Sequence, residues 1–261
     1  MTERQYVKVS KEDRIAILTI DNPPVNSLSR PVVTELQSAL EELWADDEVK
    51  AIVITGDGQM VFVAGADINA ILELKTSTEA KETIMQVHDL FLRIENSSKP
   101  IIAAINGHCI GAGTELAMAC HMRIANNRAM FGNTEISLGI IPGFGGTQRL
   151  SRLVGKGKAL ELILTGDRIS GAEAASIGLV NKAVPGTEVM KTALGLAKKI
   201  ASFGRPSITA AMEAVNEGLA VSLREGLEIE ADKFSSLVET EDMREGLTAF
   251  LEKRQPKFQD K

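Results

Sequence analysis

One stretch of the chain decides the fold: PIIAAINGHCIGAGTELAMACHMRIANNRAMFGNTEISLGIIPGFGGTQ, residues 100–148. It opens with an apolar, β-branched run at 101–105, passes through a glycine-rich turn and reaches the helical pattern ELAMAC. Further strand-like runs of the same kind occur at residues 15–20, 51–55, 122–125 and 179–184. Most of the segments between these runs are long enough for crossover helices, so we predict an α/β protein with a parallel or mixed sheet.

Helical periodicity indicates helices that pack on this sheet. One is predicted to begin after Ser29, as its N-cap, and a second to begin at Thr78. After Pro185 the pattern is almost entirely helical, in segments 188–202, 207–217, 222–237 and 242–254. We therefore predict two regions: an α/β core over residues 1–185 and a helical region over residues 186–261.

The composition excludes several classes of protein. The 261 residues include 29 Lys and Arg against 35 Asp and Glu, so the chain lacks the basic excess of a nucleic-acid-binding protein. Its longest uncharged run, residues 100–114, is shorter than the roughly 20 apolar residues of a membrane-spanning helix. We therefore expect no membrane span. The first residues mix both charge signs, so we also expect no secretory signal and a cytoplasmic location. Two cysteines cannot form a disulfide framework.

Two glutamates stand out in the stretch 100–148, which holds four charged residues where the average of 25% predicts about twelve. These are Glu115 and Glu135. Apolar surroundings raise the pKa of a carboxyl group, and a second carboxyl group nearby raises it further. Such a pair can act as general acid and base near neutral pH. A capping or ion-paired role for each glutamate is the alternative that the sequence leaves open.

Glycine-rich turns accompany both glutamates. NGHCIGAGTE, residues 106–115, has the spacing G-x-x-x-G-x-G, which does not match the dinucleotide-binding pattern, and the segment 155–159 lacks the Ser or Thr of a P-loop. A helix start with free N–H groups remains, and such groups can stabilise a developing oxyanion. AGAD, residues 64–67, is either a second turn of this kind or a plain strand-to-helix turn. We expect IIPGFGG, residues 140–146, to shape a pocket wall or to hold a water molecule.

A metal site is not predicted. His108 and Cys109 are adjacent, as are Cys120 and His121, and the ten-residue gap between the pairs fits none of the usual zinc spacings. The sequence also lacks the G-x-S-x-G pattern of a serine nucleophile.

Taken together, these motifs resemble the enoyl-CoA hydratase, or crotonase, family over nearly the whole chain. The stretches that carry the resemblance are FVAGADI (62–68), KPIIAAINGHCIGAGTELAMAC (99–120), FGNTEISLGIIPGFGGTQRL (131–150) and LTGDRISGAEAASIGLVN (164–181). The resemblance implies a crotonase-like spiral of ββα units followed by a helical C-terminal region used in oligomerisation. It also implies a homo-oligomer, either a trimer or a dimer of trimers.

The resemblance further implies an active site. It makes the backbone N–H groups of Ala66 and Ala112 the oxyanion hole for a thioester carbonyl, and Glu115 and Glu135 the catalytic pair. The substrate and coenzyme A contacts that it implies are Val25, Ala64, Asp67, Ile68, Asn69, Gly111 and Gly143.

The implied reaction is syn addition of water to a trans-2-enoyl-CoA, giving a 3-hydroxyacyl-CoA in fatty-acid or related acyl-CoA degradation. Glu115 would activate water toward C3 and Glu135 would deliver a proton to C2. No metal and no separate cofactor is implied, because coenzyme A arrives as part of the substrate. The length of the acyl chain depends on the residues at the pocket end, for which Ile71, Leu72, Leu74 and Phe144 are the candidates.

Two departures from the family pattern leave the subgroup open. Thr134 stands where proline is usual before the second glutamate, and His121 stands where aspartate is common. Ala112 replaces a more usual glycine, which a backbone donor tolerates. The alternatives are an enoyl-CoA isomerase or another acyl-CoA lyase of the family. A vestigial assembly or RNA-binding member is the non-enzyme alternative, which the presence of both glutamates disfavours.

The last helical segments carry two further expectations. Apolar residues such as Leu223, Phe234 and Phe250 require a partner surface, so this region is expected to make subunit contacts. The basic residues Lys253, Arg254 and Lys257 are expected to complement a helix C-terminus or to reach coenzyme A phosphates.

Overall fold

Two β-sheets form the centre of the protein. The computed structural model describes residues 4–261 and contains ten strands there. In chain order they are β1 (Val7–Glu12), β2 (Ile15–Ile20), β3 (Ala51–Gly56), β4 (Val61–Ala64), β5 (Ile101–Ile105), β6 (His108–Ile110), β7 (Met122–Asn126), β8 (Met130–Gly132), β9 (Ile169–Ser170) and β10 (Lys182–Val184). One sheet has the order β1-β2-β3-β5-β7-β10 and the other has the order β4-β6-β8-β9. The β1–β2 and β8–β9 pairs are antiparallel, and the other pairs are parallel.

Eleven α-helices are present within residues 4–261. They are α1 (Arg30–Ala45), α2 (Ile68–Leu72), α3 (Ser77–Glu95), α4 (Ala112–Ala119), α5 (Gly146–Val154), α6 (Lys156–Thr165), α7 (Gly171–Ser176), α8 (Val189–Ala201), α9 (Arg205–Gly218), α10 (Leu223–Leu237) and α11 (Glu241–Leu251). Short 3₁₀ helices cover Glu135–Leu138 and Gly186–Glu188. Among these helices, none combines the length and apolar character that crossing a bilayer demands.

A ββα unit repeats along the core. Each of β3, β5 and β7 in the first sheet is followed directly by a strand of the second sheet, namely β4, β6 and β8, and then by helical structure. Because these pairs of strands are parallel from unit to unit, the loops that leave β4, β6 and β8 meet at one edge of the second sheet. This confirms the predicted spiral of ββα units, and it brings the AGAD turn, the start of α4 and Glu135 to the same edge.

Both faces of the large sheet are covered. On one face, Ile52 and Ile54 of β3 join the main core with α1 and α3. On the opposite face, Ala51 and Val53 pack against α8 through Val189, Ala193 and Ala197. The first helix of the predicted 186–261 region therefore packs directly on the core sheet. The remaining helices, α9 to α11, follow it with short connections.

Several predicted boundaries are wrong by one to three residues, such as the start of α9 at Arg205 rather than at 207, and three others have a visible physical reason. Helix α3 begins at Ser77 rather than at Thr78, because Thr76 is its N-cap and forms a reciprocal capping box with Glu79. The predicted strand 179–184 is reduced to β10, since Leu179 lies in a turn where its carbonyl accepts a hydrogen bond from the buried Arg123. Helix α11 ends at Leu251 rather than at 254, and the chain turns through a left-handed residue at Lys253.

Gly113 sets the distance between α4 and β4. A Cβ at this position would lie 2.9 Å from Val63 Cβ and 2.8 Å from the carbonyl carbon of Val63. Because the obstacle is strand backbone, it cannot move aside without disturbing the pairing of β4 with β6. The helix that carries Glu115 thus approaches the second sheet as closely as it does because residue 113 has no side chain.

We predict that Gly113→Ala destabilises the protein by about 1–3 kcal/mol through overpacking. Gly195 in α8 is the matched control, because a Cβ there meets no atom within 4 Å. Gly195→Ala is expected to leave the stability unchanged or to raise it by up to about 1 kcal/mol, as expected for alanine in a helix interior. Urea unfolding followed by circular dichroism measures both effects, and equal stability of the two variants would contradict the packing argument.

Candidate active site

Glu115 lies in the first turn of α4 and is 1% exposed. The helix starts directly after Gly111, whose φ of 55° lies in the left-handed region that glycine tolerates. Glu115 Oε1 accepts two hydrogen bonds from backbone N–H groups, at 2.8 Å from Phe144 N and at 2.7 Å from Gly146 N. Gly146 is the first residue of α5. The carboxylate therefore sits at a helix N-terminus, where negative charge is favoured.

Glu135 is brought next to the same turn. It is the first residue of the 3₁₀ helix that follows β8, and its side chain is partly buried. A Cβ on Gly111 would lie 3.1 Å from Glu135 Oε1, so this carboxyl group borders the start of α4. Its other oxygen, Oε2, is buried and has no hydrogen-bond partner within residues 4–261. The structure thus brings Glu115 and Glu135 together around Gly111.

The surroundings of the two carboxyl groups determine their acidity. The pKa of Glu115 is raised to about 7, chiefly by burial and next by the charge of Glu135, although the hydrogen bonds from Gly146 and Phe144 act in the opposite direction. Burial also raises the pKa of Glu135. Around neutral pH the pair can therefore contain one neutral and one ionised carboxyl group, which is the condition for general acid–base work.

Two backbone N–H groups lie beside this pair. The pairing of β4 with β6 matches Ala64 with Ile110, and Gly65 N donates to Ile110 O at 2.8 Å. Two residues beyond this pair lie Ala66, after the end of β4, and Ala112, after the end of β6, and neither N–H group donates a hydrogen bond to any atom of residues 4–261. For Ala112 this follows from its place as the first residue of α4. Two adjacent turns therefore present free N–H groups, as an oxyanion hole requires.

The other predicted contact residues lie along the same edge. Val25 O accepts from Ala64 N at 3.0 Å, which fixes the 22–27 loop beside the end of β4. Asp67 caps α2 by accepting from Asn69 N at 2.9 Å, and Ile68 follows with 49% of its surface exposed. These residues form an accessible rim next to Ala66.

Helix α3 covers the loop 140–146 on the side away from Glu115. The imidazole Nε2 of His88 lies 2.7 Å from the carbonyl oxygen of Gly143. Phe91 packs edge-on against Phe144, with ring centroids 6.3 Å apart. Sequence reasoning missed the contacts that this loop makes with Glu115, although the three glycines in IIPGFGG were a signal of close backbone approach.

The histidines and cysteines do not converge. His108 Nδ1 accepts from Met130 N at 3.1 Å, and His121 Nδ1 accepts from Ile101 N at 3.0 Å. Cys109 and Cys120 are buried free thiols. Within residues 4–261 no three side chains of the metal-binding types form a cluster.

Comparison with known proteins places this geometry in a family. The family model described as "Enoyl-CoA hydratase/isomerase" matches residues 10–261. The chain belongs to the enoyl-CoA hydratase/isomerase family. The short-chain-enoyl-CoA hydratase of Clostridium acetobutylicum is 43% identical over 253 residues, which cover 97% of each chain. The crotonyl-CoA hydratase of Syntrophomonas wolfei is 43% identical over 255 residues, covering 97% of this chain and 98% of the relative.

The fold agrees with solved structures of the family. The crystal structure of an enoyl-CoA hydratase from Bacillus anthracis superposes with a TM-score of 0.94 at 38% identity, covering 98% of this chain and 100% of that one. This confirms the crotonase-like α/β fold with a helical C-terminal region.

Arg254, one of the three basic residues near the C-terminus, has side-chain partners in its own chain. Arg254 donates to both carboxylate oxygens of Glu245, at 2.6 and 2.8 Å, and to Glu252 at 2.7 Å. All three basic residues lie beyond the end of α11 at Leu251. Recognition of coenzyme A phosphates by these residues stays an untested prediction.

We predict a distinctive pH dependence of stability. Because the pKa of Glu115 is about 7 in the folded chain and near 4.3 in an unfolded one, the folded state retains a proton that the unfolded state has lost between these values. Stability attributable to Glu115 therefore falls as pH rises through this window, by at most about 4 kcal/mol. Glu115→Gln removes this loss, so the variant gains stability relative to wild type between pH 5 and pH 8.

Urea unfolding at fixed protein concentration, at both pH values, measures this difference. Glu245 serves as the control, because its hydrogen bonds with Arg254 lower its pKa to about 2, outside the window. Glu245→Gln should keep the pH dependence of the wild type. A Glu115→Gln variant with the same pH dependence as wild type would show that Glu115 has an ordinary pKa.

Proposed function

We propose that the chain is an enoyl-CoA hydratase that adds water syn to the double bond of a trans-2-enoyl-CoA and forms a 3-hydroxyacyl-CoA. The observation that carries this proposal is the placement of a buried and a partly buried carboxyl group beside two unpaired backbone N–H groups. The names of the relatives support the same reaction, since they include short-chain-enoyl-CoA hydratase and crotonyl-CoA hydratase.

The N–H groups of Ala66 and Ala112 take the thioester carbonyl oxygen. As water adds to C3, negative charge develops on this oxygen and forms an enolate. Donors that are already fixed by the ends of β4 and β6 stabilise this charge without reorganisation, which lowers the barrier more than it strengthens binding of the ground state.

The two glutamates exchange protons with the reacting atoms. Glu115, ionised and held on Oε1 by two N–H groups, takes a proton from water as the oxygen attacks C3. Glu135, whose pKa burial also raises, carries the other proton in this proposal and gives it to C2. Each turnover leaves Glu115 with an extra proton and Glu135 without one, so a proton must return to Glu135 before the next turnover. The two carboxyl groups are coupled and titrate as a pair.

Coenzyme A is the handle of the substrate in this proposal. Seven residues contact the substrate or its coenzyme A portion in this proposal: Val25, Ala64, Asp67, Ile68, Asn69, Gly111 and Gly143. Contacts far from the double bond hold the enoyl group against the carboxyl pair, so that their binding energy is used for orientation. In this proposal the reaction uses no metal and no further cofactor. We also propose a role in fatty-acid or related acyl-CoA degradation and a cytoplasmic location.

The proposal also includes an oligomer, a trimer or a dimer of trimers. Leu223 and Phe250 are each 80% exposed and Phe234 is 67% exposed in the single chain. Large apolar side chains exposed together mark an interaction surface.

Hydration of crotonyl-CoA without added metal is the first expected result, followed as the loss of conjugated-enoyl absorbance. Glu115→Gln and Glu135→Gln keep side-chain volume but remove the transferable proton, so each should lower kcat by about 10²- to 10⁴-fold. The double variant should be little worse than the poorer single variant, because groups that act as one unit are not additive. The exposed Glu228→Gln should retain full activity.

Two results would overturn this assignment. Near-normal turnover by a folded Glu115→Gln or Glu135→Gln variant would reject the paired-carboxylate mechanism. Absence of hydration on any short or medium 2-enoyl-CoA, combined with isomerisation of a 3-enoyl-CoA, would move the chain to the isomerases of its family.

For assembly, light scattering should give the mass of a trimer or hexamer, and Phe250→Asp should shift the protein toward monomer by placing a charge in a subunit contact. Leu164, which is 63% exposed and lies outside the C-terminal helices, provides the control substitution Leu164→Asp, which should leave the mass unchanged. A monomer that keeps full activity at every concentration would refute the oligomer.

A further inference from the structure

His88 of helix α3 contacts the loop that holds Glu115. Its Nε2 lies 2.7 Å from the carbonyl oxygen of Gly143. A carbonyl oxygen only accepts hydrogen bonds, so Nε2 must carry the proton. The carbonyl of Gly143 and the N–H of Phe144 belong to one planar peptide unit. That N–H donates to Glu115 Oε1 at 2.8 Å.

We propose that His88 is a positioning residue for Glu115, acting through the peptide unit between Gly143 and Phe144. Its imidazole N–H holds one end of this unit, and the other end points at the catalytic carboxylate. This inference rests on the proposed function of Glu115 and extends it to a residue that does not touch substrate.

The loop needs an external support because glycines surround this peptide unit. Gly143 precedes it, and Gly145 has a φ of 104°, in the region that residues with side chains rarely adopt. Such a segment has many accessible conformations, of which one aims the Phe144 N–H at Glu115. A directed hydrogen bond to the Gly143 carbonyl selects that orientation.

The face of α3 that carries His88 makes further contacts with this segment and with α5. Ile84, one turn before His88, would meet a Cβ on Gly143 at 3.7 Å. Phe91 packs against Phe144, and Glu95 pairs with Arg149 at 2.9 Å. The apolar contacts and the ion pair hold the loop against α3, whereas His88 fixes the direction of the peptide dipole.

The same hydrogen bond also affects the strength of the contact with Glu115. A donor on a carbonyl polarises the peptide unit, which makes its N–H a stronger donor. A stronger donor favours the ionised form of the carboxyl group that it contacts. The charged groups that face Glu115 are Glu135, from the 3₁₀ helix, and Arg149, from α5. Both stay in place when His88 is replaced.

The test compares His88→Asn with His88→Gln. A glutamine amide reaches the position of Nε2 and can donate to the Gly143 carbonyl, whereas an asparagine amide reaches only the position of Nδ1. His88→Asn should lower kcat on crotonyl-CoA on the order of tenfold with little change in KM, less than the loss of about 10²-fold that a 1 Å displacement can cause. The acid limb of the pH profile should move to higher pH. His88→Gln should restore both values.

A second readout does not depend on hydration. The infrared band of the protonated Glu115 carboxyl, identified by its loss in Glu115→Gln, should titrate at higher pH in His88→Asn than in wild type or His88→Gln. The proposal would be overturned if His88→Asn changed neither the titration nor kcat. It would also be overturned if His88→Asn lowered kcat without moving the titration, or if His88→Gln restored neither value. A wild type that fails to hydrate crotonyl-CoA, with the titration behaving as expected, would reject the proposed function and support the positioning role.

Discussion

The hydrogen bonds from Phe144 N and Gly146 N to Glu115 Oε1 are the interaction on which the site depends. An ionised carboxyl group in an apolar interior without partners would carry a desolvation cost too large for a protein of ordinary stability. Two backbone donors at the start of a helix reduce this cost without neutralising the group by a cation. The result is a carboxyl group that is 1% exposed, with a pKa of about 7, and can both accept and release a proton.

Two features of the surrounding fold place Glu115 where these two bonds can form. Gly113 allows α4 to approach β4, and the parallel pairing of β4, β6 and β8 brings their following loops to one edge. Glu115 and the Ala112 N–H group belong to the start of α4, Glu135 to the 3₁₀ helix after β8, and the Ala66 N–H group to the turn after β4, so no single local segment could assemble the site. A site at the ends of parallel strands is also open to a large substrate along the exposed rim that includes Ile68.

Much of this could be predicted from the sequence, for identifiable reasons. The β-branched runs at β2, β3 and β5 are continuous because both faces of the large sheet are covered. Glu115 and Glu135 were detectable because charged residues are rare around them, and in the structure both side chains lie beside the turn at Gly111. The Thr76 cap was also detectable, because Glu79 three residues later is the sign of a capping box, which would have corrected the predicted start at Thr78.

Other features were beyond the reach of local patterns. Strands β6 and β8 have three residues each, and β9 has two, so their identity is decided by pairing rather than by periodicity. The bonds from Phe144 and Gly146 to Glu115 join positions 29 and 31 residues apart in the chain. After the end of α11 the chain turns back and Arg254 binds Glu245, and the spacing of apolar residues in the sequence gives no sign of this contact.

Hydration of crotonyl-CoA in deuterated water tests directly whether the two carboxyl groups act together on one face of the double bond. The position of deuterium in the 3-hydroxybutyryl-CoA product can be read by nuclear magnetic resonance. One deuterium is expected at C2, on the same face as the new hydroxyl group at C3. Deuterium on the opposite face, or distributed over both faces at the first turnover, would contradict the paired-carboxylate mechanism.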